Sequence, residues 1–226
     1  MEAGLSTMQL VVFDMAGTTV DEDNVVYKTL HQSIVEAGYN FSLEEILYHC
    51  AGKEKHQAIK DVLASRALAT DVSTAIFTAF NGKLDAAYEE LEVKTFPGVD
   101  HLFGQLRLRG IPIALNTGYS AKIANLLLTK LGWVKGEHFS TLVTADDVRH
   151  GRPHPEMIHL AMARTGVLDS TLTLKAGDSI IDIEEGRNAG CGITVGVTTG
   201  AQTRQQLATA RPTHIFDSLV EILGIL

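Results

Sequence analysis

The chain has 226 residues, 45% of them hydrophobic and 20% charged, so a packed core is expected and extended disorder is not. A net charge of -8 has the wrong sign for non-specific nucleic-acid binding, although it leaves room for a local phosphate pocket. Two cysteines, Cys50 and Cys191, cannot build a disulfide framework, Met1–Met8 lacks the basic and apolar regions of a leader, and no apolar run approaches the roughly 20 residues of a membrane span, so a soluble, cytoplasmic protein with no membrane contact is expected.

The first apolar run, Leu10 to Asp14, ends in an acid and reads as a strand buried on both faces of a parallel sheet. Similar runs recur at 111–116, 141–144, 171–176 and 193–197, with a short last strand at 213–216. Helical patterns at 99–109, 120–131, 155–165, 182–189 and 204–210 separate them. This alternation predicts an α/β fold, a doubly wound Rossmann-like parallel sheet. From about Asn24 to Glu92 the periodicity is helical throughout. These ~70 residues are too long for a crossover and predict an inserted α-helical cap domain. The expected division is a core of 1–22 and 94–226 and a cap of 23–93, with hinges at 21–24 and 93–98, the second marked by Pro97-Gly98.

Ligands of an open parallel sheet bind beyond the carboxyl ends of its strands, so the polar residues there are the candidates. Asp14 leads into the turn Gly17-Thr18-Thr19. Gly17 permits close backbone approach to a ligand, Thr18 is a substrate-binding candidate, and Asp14 is either a nucleophile toward phosphorus or a cap for the turn. Thr117-Gly118-Tyr119 follows the run 111–116 and offers a hydroxyl beside a helix start, a donor for a phosphoryl oxygen or a plain helix cap. Arg152 precedes a predicted helix, where a cation opposes the dipole unless it meets an anion. Asp178 and Asp182 lie four residues apart at a strand end and could hold Mg2+, or cap the helix that follows. Bringing Asp14 and Asp178 together is costly unless a cation separates them, and Mg2+ would also neutralise a phosphoryl group.

These four segments together resemble the motifs of the haloacid dehalogenase superfamily. That resemblance implies Asp14 as nucleophile, Thr117 as the residue that binds the phosphoryl group, Arg152 as charge balance, and a Mg2+ site formed by Asp14, the Ala16 carbonyl, Asp178 and Asp182, the last binding the metal through water or orienting a ligand. Most phosphatases of the superfamily place a proton-donating Asp where this chain has Ala16. The sequence Asp14-Met15-Ala16-Gly17-Thr18-Thr19-Val20-Asp21 is similar instead to the phosphonatases, the phosphonoacetaldehyde hydrolases. Their leaving group is carbon and needs no proton from that position. The resemblance implies a cap lysine that forms a Schiff base with the substrate aldehyde. Gly52-Lys53-Glu54-Lys55 places Lys55 at the family spacing, with Lys53 as the alternative and His56 as a nearby substrate-binding candidate.

The chain departs from that family at Met15, Asn24 and Ala58, where Trp, Cys and His are usual, and those changes fall on the cap and its approach. The expected activity is therefore Mg2+-dependent cleavage of a small phosphonate, with a phosphomonoesterase acting on a small sugar or acid phosphate as the alternative. A homodimer through cap residues such as Tyr27, Phe77 and Phe80 is a further expectation.

Overall fold

The computed structural model describes residues 8–226. The first seven positions of the expected core segment 1–22, and most of the Met1–Met8 stretch, lie outside the described residues. Six parallel strands form one sheet: β1 (Leu10–Asp14), β4 (Ile113–Asn116), β5 (Thr141–Val143), β6 (Thr173–Gly177), β7 (Ile193–Val197) and β8 (His214–Phe216). Their order across the sheet is β5-β4-β1-β6-β7-β8. The chain winds from β1 toward β5 and then returns to the other side of β1, so the topological switch point lies at the end of β1.

The uninterrupted apolar character of β1 follows from burial on two faces. Val11 and Phe13 join the cluster that contains α5 (Val99–Leu108) and α6 (Ala121–Leu131), whereas Leu10 and Val12 join the cluster built on α7 (Glu156–Thr165). Helices α8 (Ile180–Asn188) and α9 (Arg204–Thr209) pack together through Ile183 and Leu207. No helix among the described residues is long and apolar enough to cross a membrane.

Between β1 and β4 the chain forms α1 (Val25–Glu36), α2 (Leu43–Cys50), α3 (Lys55–Ser65) and α4 (Ser73–Glu90). Their apolar stripes, including Leu30, Ile34, Ile59, Val62 and Phe80, close on one another and are buried. A feature missed in the sequence sits at the two hinges. Val20–Asp21 (β2) and Lys94–Thr95 (β3) pair antiparallel, a two-residue ribbon that carries the chain into and out of the helical insert. Two residues per strand are too few to register as periodicity.

Tyr27 and Phe80 are buried within the chain. Phe77, the third residue named for a dimer face, is half-buried. Ala58 is also fully buried, and its carbonyl accepts from the Cys50 thiol. The position where a family histidine was sought thus faces the interior of the insert.

Candidate active site

Strand register brings the candidates together. Asp14 pairs with Asn116 of β4 and Phe13 pairs with Ala176 of β6, so Asp14, Thr117 and Asp178 leave the sheet side by side. After β1 the Met15 carbonyl accepts the N–H groups of Thr18, Thr19 and Val20, which winds the chain into a tight turn. Gly17 holds φ 81° there, and the Thr18 hydroxyl donates to Asp14 Oδ2 at 3.3 Å. A Cβ on Gly17 would run into the Asp178 carboxylate, and so would one on Gly200. The Ala201 N–H donates to Asp178 Oδ2 at 2.6 Å. Asp178 is therefore closely held by two glycine backbones and the Ala201 N–H.

The acids meet two buried cations. Arg152 Nη1 donates to Asp14 Oδ1 at 2.8 Å and also to Asp182 Oδ1. Lys175 Nζ donates to Asn116 Oδ1 at 2.5 Å and lies 3.0 Å from Asp182 Oδ1 and 3.2 Å from Glu185 Oε2. Asn116 Nδ2 in turn donates to both Glu185 oxygens at 2.9 Å. Burial would raise Asp182, but Lys175 and Arg152 outweigh it and hold the carboxyl at about 2. Asp178 has no such partner, and burial followed by the charge of Asp14 pushes it to about 8. Asp14 is raised as well, by burial first and Asp182 second, against the pull of Arg152.

Four carboxylates thus face two fixed cations, and full ionisation leaves an excess of negative charge. Oxygens of Asp14, Asp178 and Asp182 lie within 4.8 Å of one another. An all-oxygen donor set with unbalanced negative charge fits a hard divalent cation. Asp182 has both oxygens engaged, one by Arg152 and Lys175 and the other by the Ser179 hydroxyl, which suits a contact through water better than a direct bond. Ala16 lines the same cleft.

The insert supplies the other wall. Glu54 caps α3, its carboxylate accepting from His56 N and Gln57 N at 2.8 Å each, and this sets Lys55 at the first helical position. The Lys55 side chain turns into the cleft with Asp14, Thr117, Gly118, Tyr119 and Arg152. Its Nζ donates to the Lys53 carbonyl at 2.7 Å and sits between two rings, 5.0 Å from the centre of Tyr27 and 5.7 Å from that of Tyr119. Burial lowers its pKa to about 8, with Arg152 acting in the same direction and Cys50 and Asp14 opposing. Thr117 is buried, and its hydroxyl accepts the Tyr119 N–H at 3.2 Å. Contact between insert and sheet is close at Gly118, where a Cβ would stand 3.1 Å from the Gly52 carbonyl.

Two expectations fall away. His56 is not among the cleft residues: it follows Lys55 by one helical step of ~100° and so turns into the insert, stacked on Phe77 at 5.0 Å and 3.3 Å from the Ser73 hydroxyl. Lys53 pairs with Asp61 at 2.5 Å and does not line the cleft, which removes it as the alternative amine.

Sequence reasoning overlooked Lys175, Glu185, Tyr27 and the Thr199–Ala201 loop. Lys175 had a signal, since a lysine inside an apolar strand must find a partner. The Gly200 contact had none, because it depends on where a distant loop folds back.

The family model for haloacid dehalogenase-like hydrolases matches residues 11–197. The phosphonoacetaldehyde hydrolase of Latilactobacillus sakei is 31% identical over 209 residues, 85% of this chain and 76% of that protein. The pyrophosphatase PpaX of Bacillus velezensis is 27% identical over 216 residues, 95% of this chain and 94% of that one. Among solved structures, a phosphonoacetaldehyde hydrolase like protein from Oleispira antarctica superposes with a TM-score of 0.84 at 22% identity, covering 96% of this chain and 91% of that one.

Proposed function

The chain belongs to the haloacid dehalogenase-like hydrolase family, and from that premise we propose that it is a Mg2+-dependent, phosphonatase-like enzyme that cleaves a small phosphonate, phosphonoacetaldehyde or an analogue. The observation that carries this reading is a buried lysine, Lys55, in the same cleft as Asp14, combined with an alanine where an oxygen leaving group would need an acid.

In this reading the neutral Lys55 amine condenses with the aldehyde, releasing water and forming an imine. Asp14 attacks phosphorus. The electrons of the breaking P–C bond pass into the protonated imine, and the carbon leaves as an enamine. Water then cleaves the aspartyl-phosphate to phosphate, while the enamine takes a proton at carbon and the imine is hydrolysed to acetaldehyde. One water is consumed overall. Arg152 and the Thr117 hydroxyl hold phosphoryl oxygens. Mg2+, held by Asp14, the Ala16 carbonyl and Asp178, with Asp182 reaching it through water, would neutralise the phosphoryl charge.

A second reading, a phosphomonoesterase acting on a small sugar or acid phosphate, draws on the placement of the Lys55 amine between two aromatic faces and a carbonyl oxygen. Those partners also suit an ammonium that grips an anionic group.

Three measurements separate the readings. Borohydride added with phosphonoacetaldehyde is expected to inactivate the enzyme irreversibly and to leave a reduced adduct on Lys55, visible by peptide mass. Lys55→Ala is expected to lose phosphonate cleavage. Full phosphonatase activity in Lys55→Ala overturns the imine, and faster turnover of phosphomonoesters than of phosphonoacetaldehyde favours the second reading.

A further inference from the structure

Beyond the cleft, the loop that carries Arg152 displays a second group of ligating side chains. We propose that His150, His154 and Glu156 form a surface site for a borderline-soft divalent transition ion of the zinc class. His150 Nδ1 lies 2.8 Å from Glu156 Oε1 and His154 Nδ1 lies 3.6 Å from the same oxygen. All three ligand atoms fall within 4.8 Å of one another. Two atoms bound to a tetrahedral zinc at its usual bond lengths stand about 3.3 Å apart. The observed spacings bracket that separation, so an ion can enter with small rotations of the rings.

The carboxylate is already organised for this. Glu156 Oε2 accepts the N–H groups of Arg149 and His150, at 2.9 and 3.0 Å, which anchors one oxygen and leaves Oε1 toward the two imidazoles. Such outer hydrogen bonds fix ligand orientation in metal sites generally. The rings stand 4.9 Å apart, and the His150, His154 and Glu156 side chains are 56%, 50% and 32% exposed, so an ion reaches them from solvent without opening the fold.

Ligand chemistry distinguishes this site from the buried acids. Two imidazoles and one carboxylate select zinc, nickel or copper over magnesium, whereas the Asp14 cluster offers oxygen alone. Position gives the site a consequence. His150 and His154 stand two residues on either side of Arg152, whose guanidinium bridges Asp14 and Asp182. An ion held by both histidines ties down the loop that delivers that arginine. The site does not depend on the substrate assigned above.

The test uses the full-length, untagged protein in saturating Mg2+, which fills the oxygen-only cluster, titrated with Co2+ as a spectroscopic probe and with Zn2+. Wild type is expected to take up one equivalent, with the intense visible bands of low-coordinate Co2+, and Zn2+ is expected to raise its melting temperature. The His150→Ala/His154→Ala variant is expected to bind more than roughly tenfold more weakly and to show no Zn2+-dependent rise, while a His101→Ala control behaves as wild type. Equal uptake and affinity in wild type and double variant overturn the site. If the double variant does not fold, imidazole nitrogen NMR of the wild type decides. Zn2+-induced shifts at His150 and His154 Nδ1 support the proposal, and shifts confined to other histidines overturn it.

Discussion

Lys175 lies inside the sheet, its side chain fully buried, with three oxygen partners, Asn116, Asp182 and Glu185. Removing its charge leaves two buried carboxylates underpaired, a change that usually costs on the order of 3–5 kcal/mol. Lys175→Met is expected to lower stability by that order, measured by urea unfolding, before any question of activity arises. Gly200→Ala acts differently. Its new methyl meets the Asp178 carboxylate, so turnover is expected to fall at least about tenfold, as expected for a displaced catalytic group, and full activity would show that Asp178 has room to move. Asp14, Thr117, Arg152 and Asp178 were legible in the sequence because each stands where a strand or loop ends in a polar side chain. Lys175 and Gly200 were not read out. One is a charge hidden in an apolar run, and the other acts through space on a residue of another loop.

At the scale of elements, the hinge shows what periodicity cannot. Asp23 and Asn24 both take left-handed backbone, φ 51° and 54°, with Glu22 alone between them and the ribbon strand β2. Asn24 makes no side-chain cap on α1. Glu22 does so instead, its carboxylate accepting from Val26 N at 3.3 Å. That carboxyl is buried, and burial, only partly offset by the Val26 hydrogen bond and Lys55, raises it from an ordinary 4.5 to about 8.

The pH dependence follows from that shift. Below about pH 4.5 both folded and unfolded chains keep the proton. Between 4.5 and 8 only the unfolded chain releases it, so stability declines as pH rises through this window and levels off above it. Asp178, raised to about 8 as well, adds a decline of the same sign, so Glu22→Gln is expected to remove only the share due to Glu22, with an advantage over wild type that is small at pH 4 and grows to the order of a few kcal/mol by pH 8. Parallel denaturation curves across that range check it, and a constant difference would contradict it. The long elements were readable because burial on two faces, or on one helical stripe, leaves a repeating signature. The two-residue ribbon and the Glu22 cap leave none.

For the molecule as a whole, the decisive quantity is charge. The centre gathers more buried negative charge than Arg152 and Lys175 neutralise, and Asp178 carries most of the strain. An ion bound there stabilises the fold by linkage, about 2.7 kcal/mol at a hundredfold excess over its Kd. For a chain of this size that is a rise of roughly 5–10 °C in melting temperature. Mg2+ is expected to produce it in wild type. Asp178→Asn is expected to melt higher than wild type without metal and to ignore added Mg2+, and a preserved Mg2+ response would place the ion elsewhere. The space around Asp14 and Lys55 has a volume of about 10 Å3, no more than a water molecule requires, and it borders a pocket of about 160 Å3 that shares Lys55, Gly118 and Tyr119.

The sequence alone determined the alternating α/β plan, the helical insertion after the first strand and the polar strand ends, because each is written in local composition and spacing. Resemblance to the phosphonatases, not composition or periodicity, marked Lys55 by its place after Gly52. Tertiary structure decided which way neighbouring side chains turn: Lys55 into the cleft, His56 into the insert and Lys53 onto Asp61. Helical rotation, the return of the Thr199–Ala201 loop and the pairing of buried charges settle those directions. Each depends on contacts between residues far apart along the chain, which no local pattern records.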